Sequence, residues 1–232
     1  LILVGKGIVY DTGGLSLKPT KGMDIMKVDM GGAACVISAI NAVAKSNLPV
    51  YVIGLIPATD NRPSGNAYAP GDVVEMYDGT NVEVLNTDAE GRMILADALS
   101  YAKKYNPELV IDMATLTGSA ARAIGHFGIV SMHNKAEKQH QKLKEAGLEV
   151  YERLAEMPFW DEYDELMKSD IADIRNIGNA DSAGAITAGK FLVHFTDYPW
   201  IHLDIAGPTY VTSEFGYRGK GATAIGVRLI YN

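Results

Sequence analysis

The chain is organised around residues 86–92, which read Asn86-Thr87-Asp88-Ala89-Glu90-Gly91-Arg92. Residues 82–85, just before them, alternate like a short strand. Residues 93–102, just after them, carry apolar side chains at helical spacing and predict a helix. The two acids therefore lie on a strand-to-helix turn, where backbone N–H groups are free and point outward.

This turn has two interpretations. Asp88 and Glu90 can face one point because Ala89 and Gly91 are small, and converging carboxylate oxygens suit a divalent cation. The guanidinium of Arg92 beside them suits an anion that such a cation also attracts. The alternative is a helix cap, because a carboxylate at a helix start satisfies free N–H groups and favours the helix dipole. The seven residues alone do not decide between the two.

Size and composition narrow the class of protein. A length of 232 residues with 47% hydrophobic content fits one large domain, or a tight pair, with a sizeable core. The net charge of −7 argues against a nucleic-acid partner, which needs a basic face. A single cysteine, Cys35, leaves no disulfide framework and is compatible with a reducing cytoplasm. No apolar run is long enough to span a bilayer, so no membrane partner is expected.

Apolar strands alternate with helical segments along the chain. Strands are predicted at residues 1–10 (interrupted at 5–7), 49–58, 109–114 and 201–206, and helices at about 30–45, 93–102, from 119, 134–156 with Asn134 as N-cap, and 182–195. Residues 158–179 are expected to extend over the surface. This order predicts an α/β fold, with a mostly parallel or mixed sheet and helices on both faces. Ligands then bind beyond the carboxyl ends of the strands, near which Lys6, Asp88 and Thr115 fall.

Charged residues are unusually placed in the first thirty positions. Lys6 lies within an apolar strand, Asp11 precedes a glycine pair, Lys18 alternates out of a short strand, and Asp29 precedes a helix. A lysine or aspartate on a buried strand is costly unless it is paired or bound to a metal. A metal site and a structural arrangement, with a Lys6–Asp11 ion pair and Asp29 as an N-cap, both remain open.

Other motifs are weaker. The histidines show no His-Glu-x-x-His spacing, and residues 5–7 (GKG) are not a phosphate loop because no Ser or Thr follows the lysine. Ser16 with Lys18 could suggest a Ser–Lys amidase, but the aspartates would then have no role. Asp204, in a predicted buried strand, is expected to be structural.

Seven segments resemble the signature set of the leucyl (cytosol) aminopeptidases, a family of two-metal exopeptidases. They are residues 4–7 (VGKG), 11–18 (DTGGLSLK), 23–24 (MD), 29–34 (DMGGAA), 86–92 (NTDAEGR), 114–118 (ATLTG) and 202–207 (HLDIAG). The likeness runs over essentially the whole chain and keeps order and spacing, and the heptapeptide at 86–92 is close to diagnostic.

The resemblance implies two divalent metal ions per subunit, typically Zn²⁺, with Mn²⁺, Mg²⁺ or Co²⁺ able to substitute. Lys6, Asp11, Asp29 and Glu90 would hold the tighter ion, and Asp11, Asp88 and Glu90 the more exchangeable one. A lysine ligand must be neutral to donate its lone pair, and two nearby dications would depress its pKa by charge repulsion.

The resemblance also assigns catalytic and anion-binding roles. Lys18 would place an ammonium on the developing oxyanion. Arg92 would hold a bicarbonate ion that acts as the general base, aided by backbone groups of Ala89, Gly91 and Leu116.

The resemblance places Met26, Thr115 and Gly118 in the substrate side-chain pocket, which would suit Leu or Met. Met26 could equally be plain core, and Gly118 could be a helix start.

We therefore expect residues 1–232 to be the catalytic domain of a metal-dependent aminopeptidase that hydrolyses the N-terminal residue, Leu preferred, of peptides with a free N-terminus. The chain opens without Met, so we expect a fragment. The resemblance implies that it lacks an N-terminal domain and the first strands of the catalytic domain, and that the full protein is a homo-hexamer. A cytoplasmic location is expected for the full protein. A catalytically inactive relative, or a DNA-binding or regulatory relative on the same fold, is the alternative. The acidic balance and the filled site positions speak against it.

Overall fold

The computed structural model describes residues 1–232. In it, strands and helices alternate along much of the chain. The strands are β1 (Ile2–Gly5), β2 (Gly7–Asp11), β3 (Ile53–Leu55), β4 (Ala58–Asn61), β5 (Val73–Glu75), β6 (Asn81–Glu83), β7 (Val110–Ala114), β8 (Ile129–Asn134), β9 (Leu154–Glu156), β10 (Ile174–Arg175), β11 (Trp200–Asp204), β12 (Tyr210–Val211) and β13 (Gly221–Ala222). The α-helices are α1 (Thr20–Met23), α2 (Gly31–Lys45), α3 (Glu90–Ala102), α4 (Gly118–Ile124), α5 (Glu137–Glu149), α6 (Gly184–Val193) and α7 (Val227–Tyr231). Short 3₁₀ helices occur at Met26–Val28, Lys103–Tyr105 and Asp161–Met167.

Six strands form the central sheet, in the order β3-β1-β7-β11-β8-β9. Strands β3, β1, β7 and β11 run parallel to one another, β8 runs antiparallel to β11, and β9 is parallel to β8. The predicted α/β class with a mostly parallel, mixed sheet is therefore confirmed. Strand β2 leaves this sheet and pairs with β4 in a separate two-stranded sheet.

Helices cover both faces of the central sheet because successive strand residues point to opposite sides. Ile2 and Val4 belong to a core cluster with residues of α3 and α6, whereas Leu3 belongs to one with residues of α2 and α7. Full burial of each large apolar side chain contributes roughly 1.5–3 kcal/mol. None of the helices combines the length and apolar character that crossing a membrane requires.

Close backbone approach fixes Lys6 at the carboxyl edge of β1. A Cβ atom on Gly32 would lie 1.9 Å from the Met113 carbonyl oxygen, so only glycine lets the start of α2 touch β7 here. The backbone N–H of Lys6 donates to the Met113 carbonyl (3.0 Å), and the N–H of Ala33 donates to the Lys6 carbonyl (2.9 Å). Lys6 is thereby held between the sheet and the first turn of α2.

Three sequence predictions about elements are wrong. The strand predicted at 49–58 is only β3 at Ile53–Leu55, because β3 is an edge strand and Tyr51, 80% exposed, has no neighbour to cover it.

The helix predicted at 134–156 is only α5. Asn134 ends β8, and residues 154–156 form β9 because they pair with β8. Ala136, not Asn134, occupies the N-cap position and makes no side-chain cap bond.

The segment 158–179 does not merely extend over the surface. Met167, Ile174 and Asn176 are buried, since the segment contributes β10 to a small sheet with β6 and β5. The helices predicted near 30–45, 93–102, 119 and 182–195 are present, with α3 starting three residues earlier, at Glu90.

Candidate metal centre

Six charged residues singled out from the sequence converge at the carboxyl ends of β1 and β7. Lys6 joins β1 to β2, Asp11 ends β2, Asp29 follows the 3₁₀ helix Met26–Val28, and Glu90 begins α3. Asp88 and Lys18 complete the cluster, bridged to each other by an ion pair. Residues from distant parts of the chain therefore meet where ligands bind in α/β sheets.

The inner half of the cluster is closed to solvent. The Lys6 ammonium lies 2.7 Å from Asp29 Oδ2 and 2.9 Å from Glu90 Oε1, and it donates to the Thr115 carbonyl at 3.1 Å. The Thr115 hydroxyl in turn donates to Asp29 Oδ1 at 2.7 Å. Only 4% of the Lys6 side chain is exposed, so this lysine is fixed by its partners rather than by water.

The outer half of the cluster is more open. The Lys18 ammonium lies 2.8 Å from Asp11 Oδ2 and 2.5 Å from Asp88 Oδ1. The exposed fractions are 19% for the Lys18 side chain and 30% for Asp88. Lys18 and Asp88 are therefore more accessible to solvent than Lys6 is.

Asn61 joins the two halves, and sequence reasoning missed it. Its side-chain amide donates to Asp11 Oδ1 (2.8 Å) and to the Thr87 carbonyl (3.0 Å), and it lies 3.5 Å from Glu90 Oε2. Asn61 ends β4, whose pairing with β2 brings it beside Asp11. No local signal marks this residue, because the pairing of β2 with β4 spans some fifty positions of sequence.

The donors fit divalent cations. Carboxylate oxygens of Asp11, Asp88 and Glu90 lie within 4.8 Å of one another. Asp29 Oδ2 and Asp88 Oδ1 are buried and accept no well-directed hydrogen bond; each has only a lysine ammonium close by. Converging carboxylates are the ligands that divalent cations take.

Burial and mutual repulsion hold the acids in unusual states. Burial raises the pKa of Asp29 to about 7 and that of Asp88 to about 6, even though Lys6 and Lys18 respectively oppose the change. For Lys6, burial lowers the pKa, but the charges of Glu90 and Asp29 outweigh burial and raise it above its usual value. Lys6 is thus an ammonium in this arrangement, and coordination of a metal by its nitrogen requires the loss of a proton.

Two glycines give the charged side chains room. A Cβ atom on Gly91 would lie 2.5 Å from Lys6 Cε, and one on Gly13 would lie 3.0 Å from Asp88 Oδ1. Gly13 also has a φ of +86°, which favours glycine. The convergence of Asp88 and Glu90 is attributed, from the sequence, to the small residues beside them. Gly91 gives the Lys6 side chain room in the same way.

Arg92 lies behind the cluster on α3 and is buried. One terminal nitrogen donates to the Asn176 carbonyl at 2.6 Å, while Nε is buried without a partner. Burial lowers the pKa of Arg92 to about 10, against the charge of Glu90, so the side chain stays cationic at neutral pH.

Asn176, also missed from the sequence, is fully buried and holds the turn before α3. Its side-chain oxygen accepts from the N–H groups of Leu85 and Asn86, at 2.8 and 3.4 Å, and its amide donates to the Asn86 carbonyl at 2.7 Å. Asn176 therefore supports Arg92 through its backbone carbonyl and the turn that carries the acids through its side chain.

Backbone groups expected at the anion site are partly engaged. The N–H of Ala89 donates to the Asn86 carbonyl, and that of Leu116 donates to Asp204 Oδ1 at 3.2 Å. Gly91 lies in the first turn of α3, where N–H groups lack intrahelical partners. Asp204 also accepts from the Thr117 hydroxyl and the Ala206 N–H, which is the structural role that the sequence predicted.

The three residues expected in the substrate pocket differ in position. Thr115 contacts Asp29 directly. Gly118 is exposed and begins α4, and Met26 is half-buried at the start of a 3₁₀ helix. Tyr68, which the sequence did not indicate, lies close enough to the acids that burial, then the charges of Glu90 and Asp11, raises its pKa to about 12.

Fold and site together define an α/β domain with a cluster of lysines and carboxylates at the carboxyl edge of its sheet, of a composition that fits divalent cations. A family model described as "Cytosol aminopeptidase family, catalytic domain" matches residues 1–231. The chain belongs to the cytosol aminopeptidase family.

Individual relatives agree with this membership. A probable cytosol aminopeptidase of Chlorobium limicola is 54% identical over 98% of this chain and 45% of its own length. The crystal structure of the cytosol aminopeptidase from Coxiella burnetii superimposes with a TM-score of 0.93 at 40% identity, over 99% of this chain and 50% of that one. The bottromycin maturation enzyme BotP in complex with Mn gives a TM-score of 0.94 at 37% identity, over 99% and 51%. The chain spans about half the length of the curated relatives it matches.

Proposed function

We propose that this chain supplies the catalytic centre of a metal-dependent aminopeptidase, which hydrolyses the N-terminal residue of peptides with a free N-terminus and prefers Leu. The observation that carries the proposal is the meeting of Asp11, Asp29, Asp88 and Glu90 around two lysines at one edge of the sheet. The names of the family and of its relatives support the reaction class.

Two divalent metal ions per subunit are proposed, Zn²⁺ or, in its place, Mn²⁺, Mg²⁺ or Co²⁺. Lys6, Asp11, Asp29 and Glu90 would hold the tighter ion, and Asp11, Asp88 and Glu90 the more exchangeable one. The carboxylate donors and the Mn complex of the BotP structure support this assignment. Bound metal ions would supply a more acidic water and a polarised scissile carbonyl.

Lys18 is proposed as the catalytic cation. Its side chain is more exposed than that of Lys6, and its flexible stem can carry the ammonium toward a bound peptide. There it would stabilise the negative charge that develops on the carbonyl oxygen, which helps most in the transition state. Asp11 and Asp88 hold this ammonium at the edge of the cluster beforehand.

Arg92 is proposed to hold a bicarbonate ion that accepts the proton of the attacking water. The support is that Nε of Arg92 is buried, cationic and without a partner, which leaves a donor for an anion. Gly91, at the start of α3, would add a backbone N–H, with Ala89 and Leu116 beside it. Thr115, Met26 and Gly118 are proposed to line the pocket for the first side chain.

The wider setting is also a proposal. We assign peptide substrates, a homo-hexamer for the full protein and a cytoplasmic location, the last because the relatives are named cytosol aminopeptidases. Neither alternative raised by the sequence, an inactive relative or a DNA-binding relative, is favoured by any observation at the site.

Hydrolysis of leucine p-nitroanilide tests the proposal. The protein is assayed with added Mn²⁺ or Zn²⁺, with and without a chelator, and with and without bicarbonate. We expect activity that the chelator removes, that returned metal restores and that bicarbonate raises. Activity indifferent to chelation would contradict the metal mechanism, and a phenylalanine or alanine analogue cleaved faster than the leucine compound would contradict the Leu preference.

A further inference from the structure

A second cluster of potential metal ligands lies near the amino-terminal end of β11, away from the carboxylate centre. His133 is on β8, His140 on α5 and Glu156 at the end of β9. Strand β8 runs antiparallel to β11, and His133 is paired with Ile201 near the start of β11. The cluster therefore lies toward the amino-terminal end of β11, whereas the carboxylate centre lies beyond the carboxyl ends of β1 and β7.

The three side chains face one another. His133 Nε2 lies 3.3 Å from Glu156 Oε1, and His140 Nδ1 lies 3.8 Å from Glu156 Oε2. One ligand atom from each of the three residues lies within 4.8 Å of the others. Tetrahedral coordination with bonds of about 2.1 Å places neighbouring ligand atoms about 3.4 Å apart, so small side-chain rotations suffice to close the site on an ion.

The imidazoles are prepared for ligation. His140 Nε2 is hydrogen-bonded at 2.9 Å to the hydroxyl of Ser131, which is fully buried, so Nδ1 is directed at Glu156. Burial, and then the neighbouring His133, lowers the pKa of His140 to about 4, which leaves the ring neutral at pH 7. His133 Nδ1 is buried without a partner, so no hydrogen bond fixes which nitrogen of that ring carries the proton.

We propose that His133, His140 and Glu156 form a second metal centre that takes Zn²⁺ or a similar first-row transition-metal dication. Two imidazoles and one carboxylate are a donor set that Zn²⁺ adopts with a fourth position open, and imidazole ligands are not suited to Mg²⁺ or Ca²⁺. Glu156 is half-exposed, so an ion can enter from solvent.

One neighbouring charge shapes the site. The Lys144 ammonium lies 2.9 Å from Glu156 Oε2. Oε1 remains turned toward His133, so Glu156 offers one oxygen to an ion while Lys144 holds the other and orients the carboxylate. The competing interpretation is a purely structural network, in which His133 simply donates to Glu156.

Cu²⁺ as a probe separates the two centres. Bound Cu²⁺ reports imidazole nitrogen in its electron paramagnetic resonance, and the carboxylate centre contains no histidine. The experiment uses protein without a histidine tag, with the variants H133Q and E156Q, and H194Q as a control because His194 is exposed and outside both clusters. We expect wild type and H194Q to show coupling to two imidazoles. H133Q should lose the coupling to two imidazoles because one of the rings is removed. Wild-type Cu²⁺ without imidazole coupling, or coupling unchanged in H133Q, would overturn the proposal.

Zn²⁺ stoichiometry gives an independent reading that does not depend on catalysis. Equilibrium dialysis followed by metal analysis should find one more Zn²⁺ per chain in wild type and H194Q than in E156Q. Circular dichroism and thermal unfolding will reveal whether each variant folds. Because Glu156 is half-exposed, E156Q is expected to fold and can test the proposal even if H133Q does not fold. Equal Zn²⁺ content in wild type and folded E156Q would leave only the structural network.

Discussion

Lys6 and Lys18 both lie between two carboxylates, yet one pair of acids encloses its lysine and the other only holds it at a surface. The Lys6 side chain is 4% exposed and also contacts the Thr115 carbonyl, whereas the Lys18 side chain is 19% exposed and contacts only carboxylates of the cluster. Burial makes the inner lysine part of the scaffold, because an unpaired charge there is very costly. Exposure leaves the outer lysine accessible from solvent, which its proposed catalytic role requires.

The largest effect is expected when the inner half is broken. Glu90→Gln removes a charge beside the buried ammonium of Lys6, and breaking one side of a buried ion pair costs about 3–5 kcal/mol. We expect a loss of that order in the free energy of unfolding, measured by urea titration, together with loss of bound metal.

The matched control is Glu165→Gln, whose exposed ion pair with Lys168 is worth at most about 1 kcal/mol. If Glu90→Gln unfolds at the same urea concentration as this control, the charges of the inner half do not contribute to the stability of the protein.

The second largest effect is expected when the outer half of the cluster is changed. Lys18→Met should leave the fold and the metal content intact but lower kcat by about 10²–10³, the cost of removing one oxyanion donor. Asp88→Asn should instead lower the affinity for the more exchangeable metal. Parallel measurement of kcat and metal content separates the two roles, and loss of metal in Lys18→Met would refute the division of labour.

A smaller effect is expected from crowding the inner lysine. Gly91→Ala places a Cβ atom 2.5 Å from Lys6 Cε, and overpacking of this kind costs about 1–3 kcal/mol. Thermal unfolding and metal titration should both show the change. Gly65→Ala, where a Cβ atom meets nothing within 4 Å, is the control and should be near neutral.

The smallest effect is a dependence of stability on pH, which comes from a buried pair outside the charged cluster. His202 Nδ1 lies 2.6 Å from Asp112 Oδ1, and both side chains are fully buried. Burial lowers the pKa of His202, but the charge of Asp112 outweighs it and raises the pKa above its usual value. The stabilisation is therefore complete below about pH 6.5 and is lost as pH rises through the raised value.

Urea unfolding at several pH values checks this sign. The difference in unfolding free energy between wild type and His202→Gln should shrink as the pH increases from 6.5, while the pH dependence of metal affinity stays the same in both proteins. A difference that grows with pH would mean that His202 is neutral in the fold.

The sequence predicted the parts of the site that local chemistry encodes. The heptapeptide at 86–92 combines a turn, a helix start and two acids of the cluster, and Lys6 stands out as a charge within an apolar strand. Asn61 and Asn176 were missed because their roles arise from strand pairing and backbone contacts with residues that are remote in sequence. Amide side chains carry no charge, so nothing in the local pattern distinguishes them from loop residues.

The same reason explains the errors in the fold. Strand β9 was absorbed into a predicted helix because three residues, Leu154–Glu156, are too few to show a period of two. Their strand state comes from pairing with β8, which itself mixes polar and apolar residues. The buried strands β7 and β11 were predicted well because burial on both faces leaves mostly apolar residues, which only Asp112, His202 and Asp204 interrupt.

Strand β2 leaves the central sheet just before it delivers Asp11, and its only strand partner is β4. A two-stranded ribbon has little stability of its own, so the ionic contacts at its Asp11 end add to the packing of the buried Ile8 in holding it. Loss of those contacts can therefore detach Asp11 and Asn61 together in a local opening, while β1, β7 and β11 keep their hydrogen bonds. The amide protons of the ribbon would then report on occupancy of the centre by their rate of exchange with solvent, independently of any reaction.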